Sequence, residues 1–166
     1  MFHFFHTFPW LPYSIGIKKN VKTILLKFDI LQSKPKTGTV NMKNKASILI
    51  ALEHEITAKN TLEDRINLIA SSIRKHTQAE RCTIFVYKDN TNQLQSIYSD
   101  DIPTLRINSN TGLVGYAFHK RETVLENDTS SSKYFYKGID QKSGYKTMSV
   151  LAVPILNAKN KRLGAI

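Results

Sequence analysis

The chain has 166 residues, of which 41% are hydrophobic and 22% charged, enough for one ordinary buried core and too apolar for a globally disordered chain. The net charge of +11 is uneven: residues 1–45 carry 8 Lys against Asp29 alone, a net of +7, which leaves +4 for the rest. That small excess argues against nucleic acid as a partner, and the single cysteine, Cys82, excludes an intrachain disulfide and a CxxC zinc site.

The first residues, MFHFFHTFPWLPYSIGI, are aromatic but broken by His3, His6, Pro9 and Pro12. The run is too short for a transmembrane helix, and it lacks the basic start and cleavage site of a signal peptide. Aromatics followed by Lys18, Lys19, Lys22 and Lys27 could touch an anionic membrane surface. No continuous amphipathic period supports that contact, so residues 1–41 read as an atypical, disordered leader. Lys34-Pro35-Lys36-Thr37-Gly38 resembles a linker. An upstream start codon, with Met42 as the usual first residue, is one explanation.

From Lys45 the pattern is regular. Ile48, Leu52 and Ile56, with Leu49 beside them, make one helix face. Leu62, Ile66, Ile69 and Ile73 make a second, opened by Thr61 with Asp64 three residues on, close to a capping box. These stripes serve either as core or as the seam of a homodimer through the N-terminal helices. Cys82 to Tyr87 is β-branched and aromatic, a strand. Asp89 to Asn92 is a turn cluster, and Leu94 to Tyr98 returns as the second arm of a hairpin. Leu105 to Asn108 is a third strand candidate.

Gly112 to Phe118 begins a short helix with Val114 and Phe118 inward, and Thr123 to Glu126 is extended. Asp128 to Gly144 is a long mixed segment centred on Tyr134, Phe135 and Tyr136, the length of a functional lid. Thr147 to Leu156 is the strongest strand, with Pro154 near its end. Leu163 to Ile166 starts another, and the natural domain is expected to continue past it. The order implies an α+β domain: an antiparallel sheet with helices on one face and a lidded ligand pocket on the other.

Few residues suggest chemistry. The five histidines lack metal-ligand spacing, no nucleophile–base pair is visible, and Asp100-Asp101 reads as a solvated turn. No catalytic residue, metal site or required cofactor is expected.

Residues 112–155 resemble the GAF domains of cyclic-nucleotide phosphodiesterases and adenylate cyclases. The resemblance is carried by Gly112-x-x-Gly115, Asn127-Asp128, Phe135 with Gly138-x-Asp140, Ser143-Gly144-Tyr145 and Val153-Pro154-Ile155. The hairpin from Cys82 to Tyr98 looks like that family's first two strands. The resemblance implies a cytoplasmic, dimeric sensor that binds a small molecule, cyclic AMP or cyclic GMP foremost, and biases an attached output domain. It implies that residues 42–166 form the domain without its last strand and C-terminal helix. That family's cyclic-nucleotide branch carries a further Asn-Lys … Phe … Asp-Glu signature after the next strand, at positions later than Ile166.

By position, the resemblance assigns ligand contacts to Thr83 near a base, Tyr98 stacked on it, and Leu113 and Val114 at a phosphate. Tyr136 and Asp140 would lie in the lid, with Ser143 and Thr147 as contacting hydroxyls. A helix start with unpaired N–H groups suits a phosphate. Each assignment has a structural alternative: glycines for helix–sheet packing, Tyr98 as a strand aromatic, Ser143-Gly144 as a turn, Asp140 as a loop closure. Two relatives of the fold do not fit. A free-methionine-sulfoxide reductase needs several pocket cysteines, and a bilin-binding domain needs one in the lid. Other readings remain open: a ligand-free dimerisation module, or the N-terminal piece of a phosphodiesterase, cyclase or histidine kinase.

Overall fold

The computed structural model describes residues 42–166, so the leader and its linker lie outside the described residues. Helices α1 (Met42–Ala58) and α2 (Leu62–Thr77) come first. Thr61 caps α2 by accepting the Asp64 N–H at 3.0 Å. Glu63 and Asp64 occupy its first turn, and Arg74, Lys75 and His76 its last, so the charges complement the helix dipole.

Strands β1 (Thr83–Lys88) and β2 (Gln93–Ser99) form the expected hairpin, joined by a 3-10 turn at Asp89–Thr91 and by Asn92 in the left-handed region. Strand β3 (Arg106–Asn108) pairs with β2, and helix α3 (Gly112–Lys120) follows. Strand β4 (Val124–Glu126), a short helix α4 (Gly138–Ser143), and strands β5 (Val150–Ala152), β6 (Pro154–Leu156) and β7 (Arg162–Ala165) complete the order.

The main sheet is antiparallel, in the order β3-β2-β1-β7-β6. The final strand therefore lies between β1 and β6. The expected continuous strand from Thr147 to Leu156 divides. Thr147 does not extend because its N–H and hydroxyl both donate to Asp140. Beyond Ser149 the segment changes partner: β5 pairs with β4 in a separate two-stranded ladder, and β6 pairs with β7. Val153 bridges the two ladders by exchanging both backbone hydrogen bonds with Ile166, each 2.8 Å.

Strand alternation sends side chains to two cores. On one face Leu52, Ile56, Ile66, Ile69, Ala70 and Ile73 from α1 and α2 pack on Cys82 and Ile84. Of the described stripe residues, Leu52, Ile56, Ile66, Ile69 and Ile73 are core, while Leu62 is exposed. On the other face Phe85, Leu94, Leu105, Ile107 and Ala165 pack beneath Phe118 of α3, with Val114 and Ile139 beside them. Ile84 and Phe85 are consecutive and buried in different cores, as alternation requires, and the register with β2 shifts between them.

Candidate functional site

Two glycines set the start of α3. Gly112 has φ +70°, which L side chains rarely adopt. Gly115 packs so closely on the preceding turn that a Cβ there would sit 2.6 Å from the Ser109 carbonyl oxygen. The turn is closed by the Thr111 N–H donating to the Asn108 carbonyl at 2.9 Å and by the Gly115 N–H donating to the Thr111 carbonyl at 3.1 Å. No side chain caps this helix.

Beside that helix start lies a cavity of about 400 Å³. One wall is Asn110, Gly112, Gly115, Tyr116 and His119; the other is the lid run Lys133, Tyr134, Phe135 and Tyr136. The lining holds one cation and no carboxylate. Tyr116 and Tyr134 stack across it, ring centroids 4.3 Å apart and 28° from parallel. Lys133 sits 5.0 Å from the Tyr134 ring and Lys120 5.9 Å from the Tyr116 ring. The lid roofs this cavity as expected, but α3 floors it instead of the sheet. The apolar layer of Phe85, Leu94 and Phe118 fills the space nearer the strands.

The lid is a loop grown from the β4–β5 ladder. Buried Thr129 ties its two ends: the Thr129 N–H donates to the Met148 carbonyl at 3.0 Å and its hydroxyl to the Thr147 carbonyl at 2.5 Å. Farther along, the Asp140 carboxylate accepts from the Thr147 N–H at 2.8 Å and the Thr147 hydroxyl at 2.6 Å. Ser143 donates to the Asp140 carbonyl at 3.4 Å and accepts from the Tyr145 N–H at 3.3 Å.

The residues assigned to a ligand are thus only partly brought together. Tyr136 lines the cavity, its Cβ 3.2 Å from where a Gly112 Cβ would stand. Leu113 is buried, and Val114 packs on the second core. Asp140, Ser143 and Thr147 engage one another as a loop closure. Tyr98 packs on the α1–α2 face, away from the lid, and donates to Asp100 at 2.8 Å. The Thr83 hydroxyl lies 3.4 Å from that of Ser99.

Two polar groups were not legible beforehand. Ser109 is fully buried, and its Oγ lies 3.2 Å from His119 Nε2. Arg162 approaches His119 Nδ1 at 2.7 Å, so Nδ1 must accept and Nε2 carries the proton. Ser109 in turn donates to Asn92 Oδ1 at 2.6 Å. In this arrangement the imidazole has no lone pair for the serine proton, so the pair braces α3 rather than forming a nucleophile and base. Burial and the Arg162 guanidinium hold the His119 pKa below its ordinary value. The Asp100-Asp101 pair lies in an exposed bend, as expected, but both carboxylates are also paired. Asp100 accepts the Cys82 N–H at 2.8 Å and pairs with Arg74 at 3.2 Å, while Asp101 pairs with Arg81. Burial, with Asp100 adding to it, pushes the Cys82 thiol up to about 12.

An antiparallel sheet between a helix pair and a lidded second layer defines a sensor-type α+β domain. A family model for the GAF domain matches residues 61–166, and the chain belongs to that family, one of signalling sensor domains. Among solved structures, the GAF domain of a phosphoenolpyruvate-protein phosphotransferase from Coxiella burnetii superposes with a TM-score of 0.65 at 20% identity, covering 75% of this chain and 76% of that one. Free methionine-R-sulfoxide reductase from Neisseria meningitidis superposes with a TM-score of 0.56 at 13% identity, covering 79% and 74%. At these identities the likeness is one of fold. Among curated proteins, the cone cGMP-specific 3',5'-cyclic phosphodiesterase subunit alpha' of Bos taurus is 28% identical over 97 residues, 49% of this chain and 11% of that protein. The chain therefore spans a small fraction of that relative's length. Among the described residues no helix is long and apolar enough to cross a membrane.

Proposed function

We propose that this domain is a cytoplasmic sensor that binds a small anionic, ring-bearing molecule, cyclic AMP or cyclic GMP foremost, and regulates a signalling output domain. The observation that carries the reading is the cavity between the α3 start and residues 133–136. It combines an uncapped helix N-terminus, Lys133, several aromatic faces and no carboxylate. A phosphate is favoured at such a helix start, and a flat base can stack on an aromatic ring for about 1–3 kcal/mol. The similarity to a cone cGMP-specific phosphodiesterase supports the nucleotide choice and an output of that kind.

The test is thermal denaturation with cyclic AMP and cyclic GMP. A ligand of the folded state at a hundredfold excess over its Kd stabilises by about 2.7 kcal/mol, a rise of several degrees that Lys133→Glu should abolish. If neither nucleotide moves the transition and no small molecule accompanies the purified protein, the reading is rejected.

A second reading, a dimerisation module without a ligand, draws on Ile50 of α1, 66% exposed, and Leu62 at the start of α2, 44% exposed. Light scattering that gives a dimer, split by Ile50→Asp, favours it. A monomer rejects it.

A further inference from the structure

The lid makes a second contact, outside the cavity lining, that loop closure does not require. Tyr145, just beyond α4, reaches the turn that follows α2. Its hydroxyl donates to Glu80 Oε2 at 2.5 Å, and the Arg81 guanidinium carbon lies 3.7 Å from the centre of its ring. Arg81 is held in turn by Asp101 at the end of the hairpin.

The neighbouring residues extend this contact into α2 itself. Arg74, in the last turn of α2, pairs with Asp100. Asp100 accepts the Cys82 N–H, and its own N–H donates to the Cys82 carbonyl at 3.3 Å. Arg81 precedes Cys82 and Asp101 follows Asp100, so two adjacent ion pairs straddle the start of β1. One faces α2 and the other faces the lid. On the lid side the Tyr145 N–H donates to Ser143, and Asp140 fixes Thr147, so the tyrosine is anchored on both sides.

We propose that Tyr145 and Arg81 form a clasp that makes opening of the lid and release of the α2 end a single event. The physical reason is geometric. The lid cannot lift from α3 and carry Tyr145 with it while the ring stays on Arg81 and the hydroxyl on Glu80. Once Arg81 loses the ring, the Glu80–Arg81 turn that follows α2 loses its outer support. The path is a contiguous series of contacts, and coupling along it is a measurable claim. It rests on the reading of the segment between β4 and β5 as a lid, but not on which molecule that lid covers.

The experiment is hydrogen–deuterium exchange on the full chain without any nucleotide, comparing Arg81→Ala, Tyr145→Leu and the double variant. An exposed cation–π contact corresponds to about a fivefold change in an opening equilibrium. Each single variant should therefore speed exchange about fivefold at residues 138–149 and also at residues 74–81, with the double variant no faster than either single. Amides of β1 and β2 report whether the sheet is intact. If Tyr145→Leu disturbs them, Tyr145→Met and Arg81→Gln carry the same comparison, because each still removes the cation–π contact. Effects that multiply in the double variant, or a faster lid with an unchanged α2 end, overturn the clasp. With no nucleotide present, this outcome is independent of whether the cavity binds one.

Discussion

Gly115→Ala tests the packing that forms the cavity wall. At an exposed helical site this change stabilises by about 1 kcal/mol, because alanine is the better helix former and narrows the unfolded ensemble. Gly115 is buried, and the new Cβ would stand 2.6 Å from the Ser109 carbonyl oxygen and 2.8 Å from the Asn110 carbonyl carbon. Both are backbone atoms, so no side chain can swing away. Either α3 must move off the 109–110 turn or the turn must give. Overpacking of this kind costs about 1–3 kcal/mol. The net expectation is a loss of about 1 kcal/mol, or roughly 3–6 °C in Tm for a domain of this size. Gly164 is tighter still, since its Cβ would collide with the Phe85 carbonyl oxygen in the β1–β7 ladder, so Gly164→Ala should lose more. Gly144 has open space around it but φ +71°, so Gly144→Asn should cost little. Thermal and urea melts of the three variants give the order directly. A Gly115→Ala domain that melts higher than the parent refutes the reasoning.

Three further outcomes follow from the polar groups. Asp140→Ala removes both bonds that hold Thr147, and the Thr147 amide should exchange roughly tenfold faster, the size of a lost charge-assisted hydrogen bond. Cys82 is buried, with a pKa of about 12 against an ordinary 9.0; at pH 8 its thiolate is roughly a thousandfold scarcer than that of a free thiol. A thiol reagent should therefore label it only as fast as the domain opens. The folded-state pKa of His119 lies below its unfolded value of 6.5, so the unfolded chain binds the proton more readily. This contribution to stability is intact above pH 6.5 and falls as the pH drops below it, and His119→Gln should flatten that part of a stability-versus-pH curve.

The local periods in the chain were readable. Ile66, Ile69 and Ile73 recur at helical spacing, and Thr61 stands one residue ahead of α2, so the helix and its cap could be named in advance. The hairpin was equally local. The divided strand was not, because its break at Val153 depends on a bond to Ile166 and on a change of partner that no run of residues encodes. The ion pairs of Asp100 and Asp101 were hidden because Arg74 and Arg81 lie 26 and 20 residues earlier in the chain. Separations of 10 and 43 residues likewise hid Ser109 and Arg162 around His119. In the cavity, the Tyr134 to Tyr136 run was visible as a cluster, but Lys133 and the facing Tyr116 could be assigned only once the α3 turn was known. A loop-closing Asp140 was legible, but its partner Thr147 was assigned to a ligand and emerges as the other half of the tie only in the structure.

Both ends of the lid emerge from the same terminal rung, Glu126–Val150, of a three-pair ladder, and Thr129 knots them together. From that rung the chain closes a loop whose entropy cost rises only with the logarithm of its length, about 0.6 kcal/mol per doubling. Residues could be inserted, removed or exchanged there while the main sheet keeps its register. Such an arrangement separates the part of the molecule that must persist from the part that can be rewritten to recognise a different molecule.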